Sequence, residues 1–540
     1  MSDPARRTVL LRGGEVHTPA DPFATAMVVE GDSVAWVGSE GAADSFADGV
    51  DEVIHLEGAL VTPAFTDAHV HLTATGLALT GLDLAPATSL ADALERIRSY
   101  AASRPADRVL LGQGWDDSRW PEGRPPSRAE LDAATGGRPL YASRVDVHSA
   151  VITTALADLV TDLAGKAGFA PEGGPLTADA HHAVREAAFG TLSPVQLAEA
   201  RRAARARAAS VGIGALHECG GPGTSSDDDF AAVLRLAREE PGPRVIGYWA
   251  ELVTGPADAR RVREMGARGA GGDLYADGSI GSRTAHLTAP YADGPGHGNQ
   301  YLDAAAVAAH VRACTEAGLQ AGFHAIGDHA VDNVVAGVRA AAEELGLDRV
   351  RAHRHRVEHA EMLTPDTIAG FAELALTASV QPGFDAAWGG TDGMYARRLG
   401  AERAVTMNPF AALLRAGVPL AFGSDAPVVP LDPWGAIRAA AFHRTAEHRI
   451  SVRAAFAAHT RGGRRAAGED DAGVLVPGAP ADYAVWDTGE LIVQVPDDRV
   501  ANWSTDPRSG TPGLPDVGPE VALPVCRRTV LGGETVFDAG

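Results

Sequence analysis

His69-Val70-His71 places two imidazoles two positions apart on what reads as a strand. Alternate residues of a strand project to one side, so both rings can reach a single ion. With 19 histidines in 540 residues, chance supplies about 0.7 such pairs, and His353-Arg354-His355 reads as that chance pair. The first pair differs in context, because the apolar run ALVTPAF leads straight into Asp67 and the two histidines. Three further donors close later apolar runs: His324 in LQAGFHAIGD, His359 in RHRVEHAEM and Asp425 in PLAFGSDAP. Nitrogen and oxygen donors without thiolate suit zinc, manganese or iron, and a set that leaves a position open admits water. A bound metal brings the pKa of water toward ~7, and a neighbouring carboxylate can take the proton and pass it to a leaving amine. The chemistry implied is hydrolysis by metal-activated water.

Such donors must be held by a scaffold. Eight apolar runs recur: ALVTPAFTDAHV, VGIGALHEC, RVIGYWAEL, GGDLYADGS, LQAGFHAIGD, RHRVEHAEM, ALTASVQPG and PLAFGSDAP. Near-continuous apolar character marks parallel strands covered by helices, and eight of them suit an α/β fold, a (β/α)8 TIM-like barrel. Each proposed donor closes one of these runs, at the strand ends where barrel enzymes build their sites. About 140 residues separate the first two runs, too many for one crossover, which implies an inserted lid subdomain over the barrel mouth. Residues 1–58 and 470–540 alternate like short strands. Each end alone has too few strands to bury a face, so the two are expected to pair into one composite β-sandwich. The barrel is expected over 59–469, with the insertion at about 73–205.

Lys and Arg total 47 against 70 Asp and Glu, a formal charge of −23. Nucleic acid and anionic membrane surfaces are therefore disfavoured as partners. Cys219, Cys314 and Cys526 are odd in number and widely spaced, giving no disulfide framework. The first residues carry no signal-peptide core, and no run approaches the ~18 apolar residues of a membrane span. A cytoplasmic location is expected. Lys166 is the only lysine in the chain.

PAFTDAHVH resembles the PGFxDxHxH signature of the amidohydrolase superfamily, with Ala64 where glycine is usual. GWDDSRW at 114–120, ADGSIGSRTA at 276–285, HAIGDHA at 324–330, RVEHAEML at 356–363, QPGF at 381–384 and GSDAPV at 423–428 resemble amidohydrolase family 3. That branch includes N-substituted formamide deformylase-like enzymes. The resemblance implies a site of His69, His71, His324, His359 and Asp425, with Asp425 as general base. Many binuclear members bridge two ions with a carboxylated lysine on the fourth strand, where this chain reads Gly272-Asp273-Leu274. Lys166 lies in the insertion, so the site either holds one ion, which is favoured, or uses Asp273 or Glu218 as the bridge.

His217 and Glu218 close the second run, and adjacency on a strand lets one of the two face the pocket. Asp328 either serves His324 as relay or orienting partner, or caps a helix. Trp115 and Trp120 read as a lid or pocket wall, or else as indoles pinning a loop. Trp115, Asp116, His148, His217, Asp277 and Arg283 are read as substrate contacts, with an ordinary ion pair as the alternative for Arg283. The expected activity is hydrolysis of a C–N amide-type bond in a small molecule with a divalent metal, zinc first. A deaminase on the same barrel, or an inactive scaffold, are the alternatives, and a homodimer is left open.

Overall fold

The computed structural model describes residues 7–106, 108–117, 120–144, 149–222, 224–494, 503–504 and 512–540. Eight strands, β1 (Phe65–Val70), β2 (Ile213–Gly220), β3 (Arg244–Trp249), β4 (Gly269–Ala270), β5 (Gln320–Ala325), β6 (Arg356–His359), β7 (Thr377–Val380) and β8 (Leu420–Phe422), form one sheet in chain order. All neighbours are parallel. Past the strand ends, β1 meets the chain following β8: Asp425 N donates to His69 O at 2.7 Å, and His71 N to Ala426 O at 3.0 Å. The sheet thereby approaches closure as a (β/α)8 barrel. Every residue of β1 and β2 is buried, as parallel strands covered on both faces must be. The covering helices are amphipathic: Asp328–Leu345 buries Val331, Val334, Val335 and Val338 at helical spacing.

The fourth strand departs from the expected run GGDLYADGS. It forms just ahead of it, at Gly269–Ala270, and only Tyr275 bridges back to β5, at His324. The cause is the pair Gly271-Gly272. A Cβ at Gly271 would lie 2.4 Å from the Gly322 backbone, and Gly272 has φ of 78°. The chain passes too close to β5 for side chains and turns out of strand geometry there.

The first run divides at Ala64. Leu60–Pro63 leaves the barrel and pairs antiparallel with Tyr483–Asp487. That pairing sits inside a five-stranded sheet ordered Glu15–Val16, Leu60–Pro63, Tyr483–Asp487, Val525–Leu531 and Glu534–Asp538. A four-stranded sheet from Ser33–Gly38, Ala26–Glu30, Thr8–Arg12 and Glu52–His55 shares its core. Val9, Leu11, Met27 and Val29 from one sheet pack with Val61, Tyr483, Val485 and Val530 from the other. The two chain ends thus build one sandwich.

Leu72–Arg205 forms a separate compact unit. Its sheet runs Ala150–Ile152, Leu140–Arg144, Leu110–Trp115, Leu82–Asp83. Trp115 and Trp120 belong to its apolar core, and their indole N–H groups donate to Ala142 O and Ala87 O. Trp115 is 1% exposed within this unit, which corrects its expected role as a substrate contact: its ring and its N–H are both used internally. The three cysteines are buried and free. No helix among the described residues is long and apolar enough to cross a membrane.

Candidate metal centre

The barrel brings all five expected donors together, with Asp273 among them. Asp273 Oδ2 lies 3.2 Å from His71 Nε2, while its Oδ1 lies 3.3 Å from His324 Nδ1, 3.5 Å from His69 Nε2 and 3.7 Å from His359 Nε2. Asp425 Oδ1 is 3.0 Å from His71 Nε2 and 3.5 Å from His69 Nε2. Donors at ~2.0–2.1 Å around a tetrahedral ion stand about 3.3 Å apart. The four spacings from His69 and His71 to Asp273 and Asp425, 3.0–3.5 Å, lie near that edge, and His69, His71 and Asp273 form one donor group. His324 and His359 with the same Asp273 make a second donor group.

Three buried atoms test the fit. His69 Nε2 and His359 Nε2 have no hydrogen-bond partner, and Asp425 Oδ1 accepts no hydrogen bond although it lies within ion-pair reach of two imidazoles. These three residues themselves form a group whose ligand atoms lie within 4.8 Å of one another. Leaving one buried polar atom unsatisfied costs ~1–3 kcal/mol. A cation among them satisfies all three, and the donor chemistry is that of a divalent metal.

The electrostatics agree. Burial pushes the Asp273 carboxyl up, yet the imidazoles of His69, His324, His359 and His71 hold it well below the usual range. Burial opposes charge on His359, but Asp273 and Asp425 raise it to about 9. The same two carboxylates hold His71 well above its ordinary value against burial. A field that favours protons on these rings favours a dication in their place.

The backbone helps to aim the donors. His359 and Asp425 both lie in the left-handed region, at φ of 70° and 56°, a conformation that costs of order 1–3 kcal/mol for a non-glycine residue and gathers at functional sites. Behind the rings, His69 Nδ1 meets Glu358 Oε2 at 3.0 Å and His359 Nδ1 meets Gln381 Oε1 at 2.9 Å. Phe384 stacks parallel to His359 with centroids 6.1 Å apart. Glu358, Gln381 and Arg356 were not singled out from the sequence, although all three lie in motifs read there.

Other expected site residues go elsewhere. On β2, His217 faces Arg356 at 2.9 Å, and the Cys219 thiol lies within 4.8 Å of His69 and Glu358 ligand atoms. Alternation therefore turns Glu218, between them, to the opposite face of the strand, and it joins none of the donor groups. His217 sits within the barrel beside a guanidinium, where burial and Arg356 hold its pKa well below the ordinary value. Asp328 opens a helix and accepts from Thr288 N at 2.9 Å, while His324 is held by Asp273 and Gly278 O. Arg283 makes a two-pronged ion pair with Asp293, both contacts 2.9 Å. Asp116 pairs with Arg144 at 3.0 Å. His148 lies outside the described residues.

Asp277 is corrected from substrate contact to internal clamp. It is fully buried and accepts from the backbone N–H groups of Ile326, Gly327 and His286 at 2.8–3.0 Å. Asp277→Ala strands two buried donors, on Ile326 and Gly327, at ~1–3 kcal/mol each, and a part-buried third on His286. Its expected effect is a thermal midpoint lowered by several degrees, with KM near the parent value for the folded fraction. An unchanged midpoint with a raised KM would return Asp277 to the substrate.

Imidazoles and carboxylates gathered at the strand ends of an eight-stranded parallel barrel are the arrangement of metal-dependent barrel hydrolases. The chain belongs to the amidohydrolase family, whose model matches residues 52–537. It is 29% identical over 519 residues to Protein LONG AFTER FAR-RED 3 of Arabidopsis thaliana, covering 89% of this chain and 87% of that protein. N-substituted formamide deformylase of Arthrobacter pascens is a partial relative, 31% identical over 139 residues, 25% of this chain and 26% of that enzyme. The crystal structure of an uncharacterized metal-dependent hydrolase from Pyrococcus furiosus superposes with a TM-score of 0.74 at 26% identity, covering 89% of this chain and 99% of that one.

Proposed function

We propose that the protein hydrolyses a C–N amide-type bond of a small molecule, using divalent metal, zinc first, at the centre described above. The observation that carries this reading is the trio of unsatisfied buried atoms on His69, His359 and Asp425. The partial likeness to N-substituted formamide deformylase supports the choice of bond. When bound, the metal polarises the scissile carbonyl and makes water acidic. Asp425 takes the proton from the attacking water and delivers it to the departing nitrogen, its oxygen being aimed at the donor cluster without a competing hydrogen bond.

Asp273 stands where many relatives carry a bridging lysine, and its oxygens face both donor groups. The two donor groups would hold two ions, rather than the single ion favoured from the sequence, with Asp273 a member of both groups. Metal analysis of the purified protein, joined to a screen of N-formyl, N-acyl and cyclic amides, is the test. About two ions per chain and amide turnover are expected. Ammonia release from a purine and pyrimidine panel, with no amide turnover, would move the assignment to a deaminase.

The absence of lysine from both donor groups has its own consequence. Lys166 follows a short turn of helix, Leu163–Gly165, inside the Leu72–Arg205 unit. Lys166→Ala is expected to keep most activity, and apoprotein is expected to regain activity with metal alone, without bicarbonate. A bicarbonate requirement would show that a carbamate still takes part.

A further inference from the structure

One layer deeper in the barrel than the donor cluster lies a charged pair with no solvent access. Arg356 and Glu358 are each 0% exposed. The Arg356 guanidinium donates to Ala68 O on β1 at 2.6 Å, to Ser379 Oγ on β7 at 2.9 Å and to both oxygens of Glu358 on its own strand. It also faces His217 Nδ1 on β2 at 2.9 Å and lies over the Tyr248 ring, 4.4 Å from its centroid. A planar fork tied to several strands at once has no freedom to turn, and a lysine could not reproduce it.

Glu358 Oε2 meets His69 Nδ1 at 3.0 Å. An ionised carboxylate can only accept, so the imidazole proton belongs on Nδ1. His69 Nε2 is the buried atom left without a partner, and it points to Asp273 and Asp425. His359 has a neutral amide oxygen behind it instead. We propose that Glu358, locked in place by Arg356, is a positioning residue: it fixes the tautomer and direction of His69 so that Nε2 offers its lone pair to the centre, and it makes His69 the more strongly donating imidazole. This rests on the reading of His69 as a metal ligand.

The competing account is that Glu358 merely neutralises Arg356. Titration of apoprotein with cobalt(II), followed by its visible d–d bands, separates the two. Glu358→Gln is expected to weaken cobalt binding by roughly 10- to 100-fold and to shift the bands, as loss of an outer partner of a ligating histidine does. A second variant, Arg356→Met with Glu358→Met, removes both charges, and replacing a buried pair by apolar residues is often tolerated. The counter-charge account expects parent affinity in that double variant; the positioning role expects affinity as weak as in Glu358→Gln. Parent affinity with unshifted bands in Glu358→Gln would overturn the inference even if the double variant does not fold. His69→Ala serves as reference: if it too binds cobalt like the parent, the ligand assignment fails, whereas its loss beside an unaffected Glu358→Gln sinks this inference alone.

Discussion

Asp425→Asn is expected to turn over a confirmed amide substrate at least ~10²-fold more slowly than the parent, the scale on which loss of a general base is felt. The substitution is nearly isosteric. Asparagine also accepts the left-handed backbone that position 425 adopts, at φ of 56°, so the turn after β8 is not strained. What disappears is a carboxylate that can hold a proton between water and leaving nitrogen. A negative neighbour of His71 and His69 disappears with it, so metal is held less tightly and occupancy must be equalised before rates are compared. If metal-loaded Asp425→Asn matches the parent rate, the base lies elsewhere. Asp273 is then the next candidate, because its carboxylate is the other one in the cluster.

Removing both imidazoles of β1 is expected to abolish metal retention and hydrolysis together. His69→Ala with His71→Ala strips two donors from Asp273 and two from Asp425. Of the remaining histidines, His324 and His359 keep Asp273, and His359 alone still stands near Asp425. The barrel itself is expected to persist, since its apolar layers do not depend on these rings, and circular dichroism should stay close to that of the parent. Two buried carboxylates left with fewer partners will lower the thermal midpoint. Metal content unchanged from the parent in the folded double variant would remove the centre from this part of the barrel.

The donors were legible because each closes an apolar run, and in a parallel barrel all such closures lie on one face. On β2 the same logic holds for His217 and Cys219, two positions apart, which both meet residues of β6 inside the barrel. The rule fails at Glu358 and His359. Both face inward although they are adjacent, because His359 has φ of 70° and leaves strand geometry at that residue. Period-two reasoning would have sent Glu358 outward, which is why its contact with His69 could not be anticipated. The residues carried over from motifs fared differently. Asp277 and Asp328 bind local backbone, Arg283 binds Asp293, and Trp115 fills a core. A motif marks residues that shape a loop as readily as residues that touch a substrate, and only the partner distinguishes them.

The seam between the chain ends bears on how this molecule is made. Thr62 Oγ1 accepts from Trp486 Nε1 at 2.8 Å across 424 residues of sequence, and β1 begins only a few residues after Thr62. At a ribosome adding ~5–20 residues each second, the partner of this segment emerges on the order of 20 to 80 seconds after the segment itself. During that interval Leu60–Pro63 has Glu15–Val16 on one edge but lacks Tyr483–Asp487 on the other. The nascent chain must therefore carry one unpaired edge of Leu60–Pro63 until Tyr483–Asp487 has been made, exposed to self-association and to chaperones. Ribosomes stalled before codon 483 would hold chains in which Leu60–Pro63 stays protease-sensitive, and synthesis of the strands in 483–538 would complete that sheet in one late step.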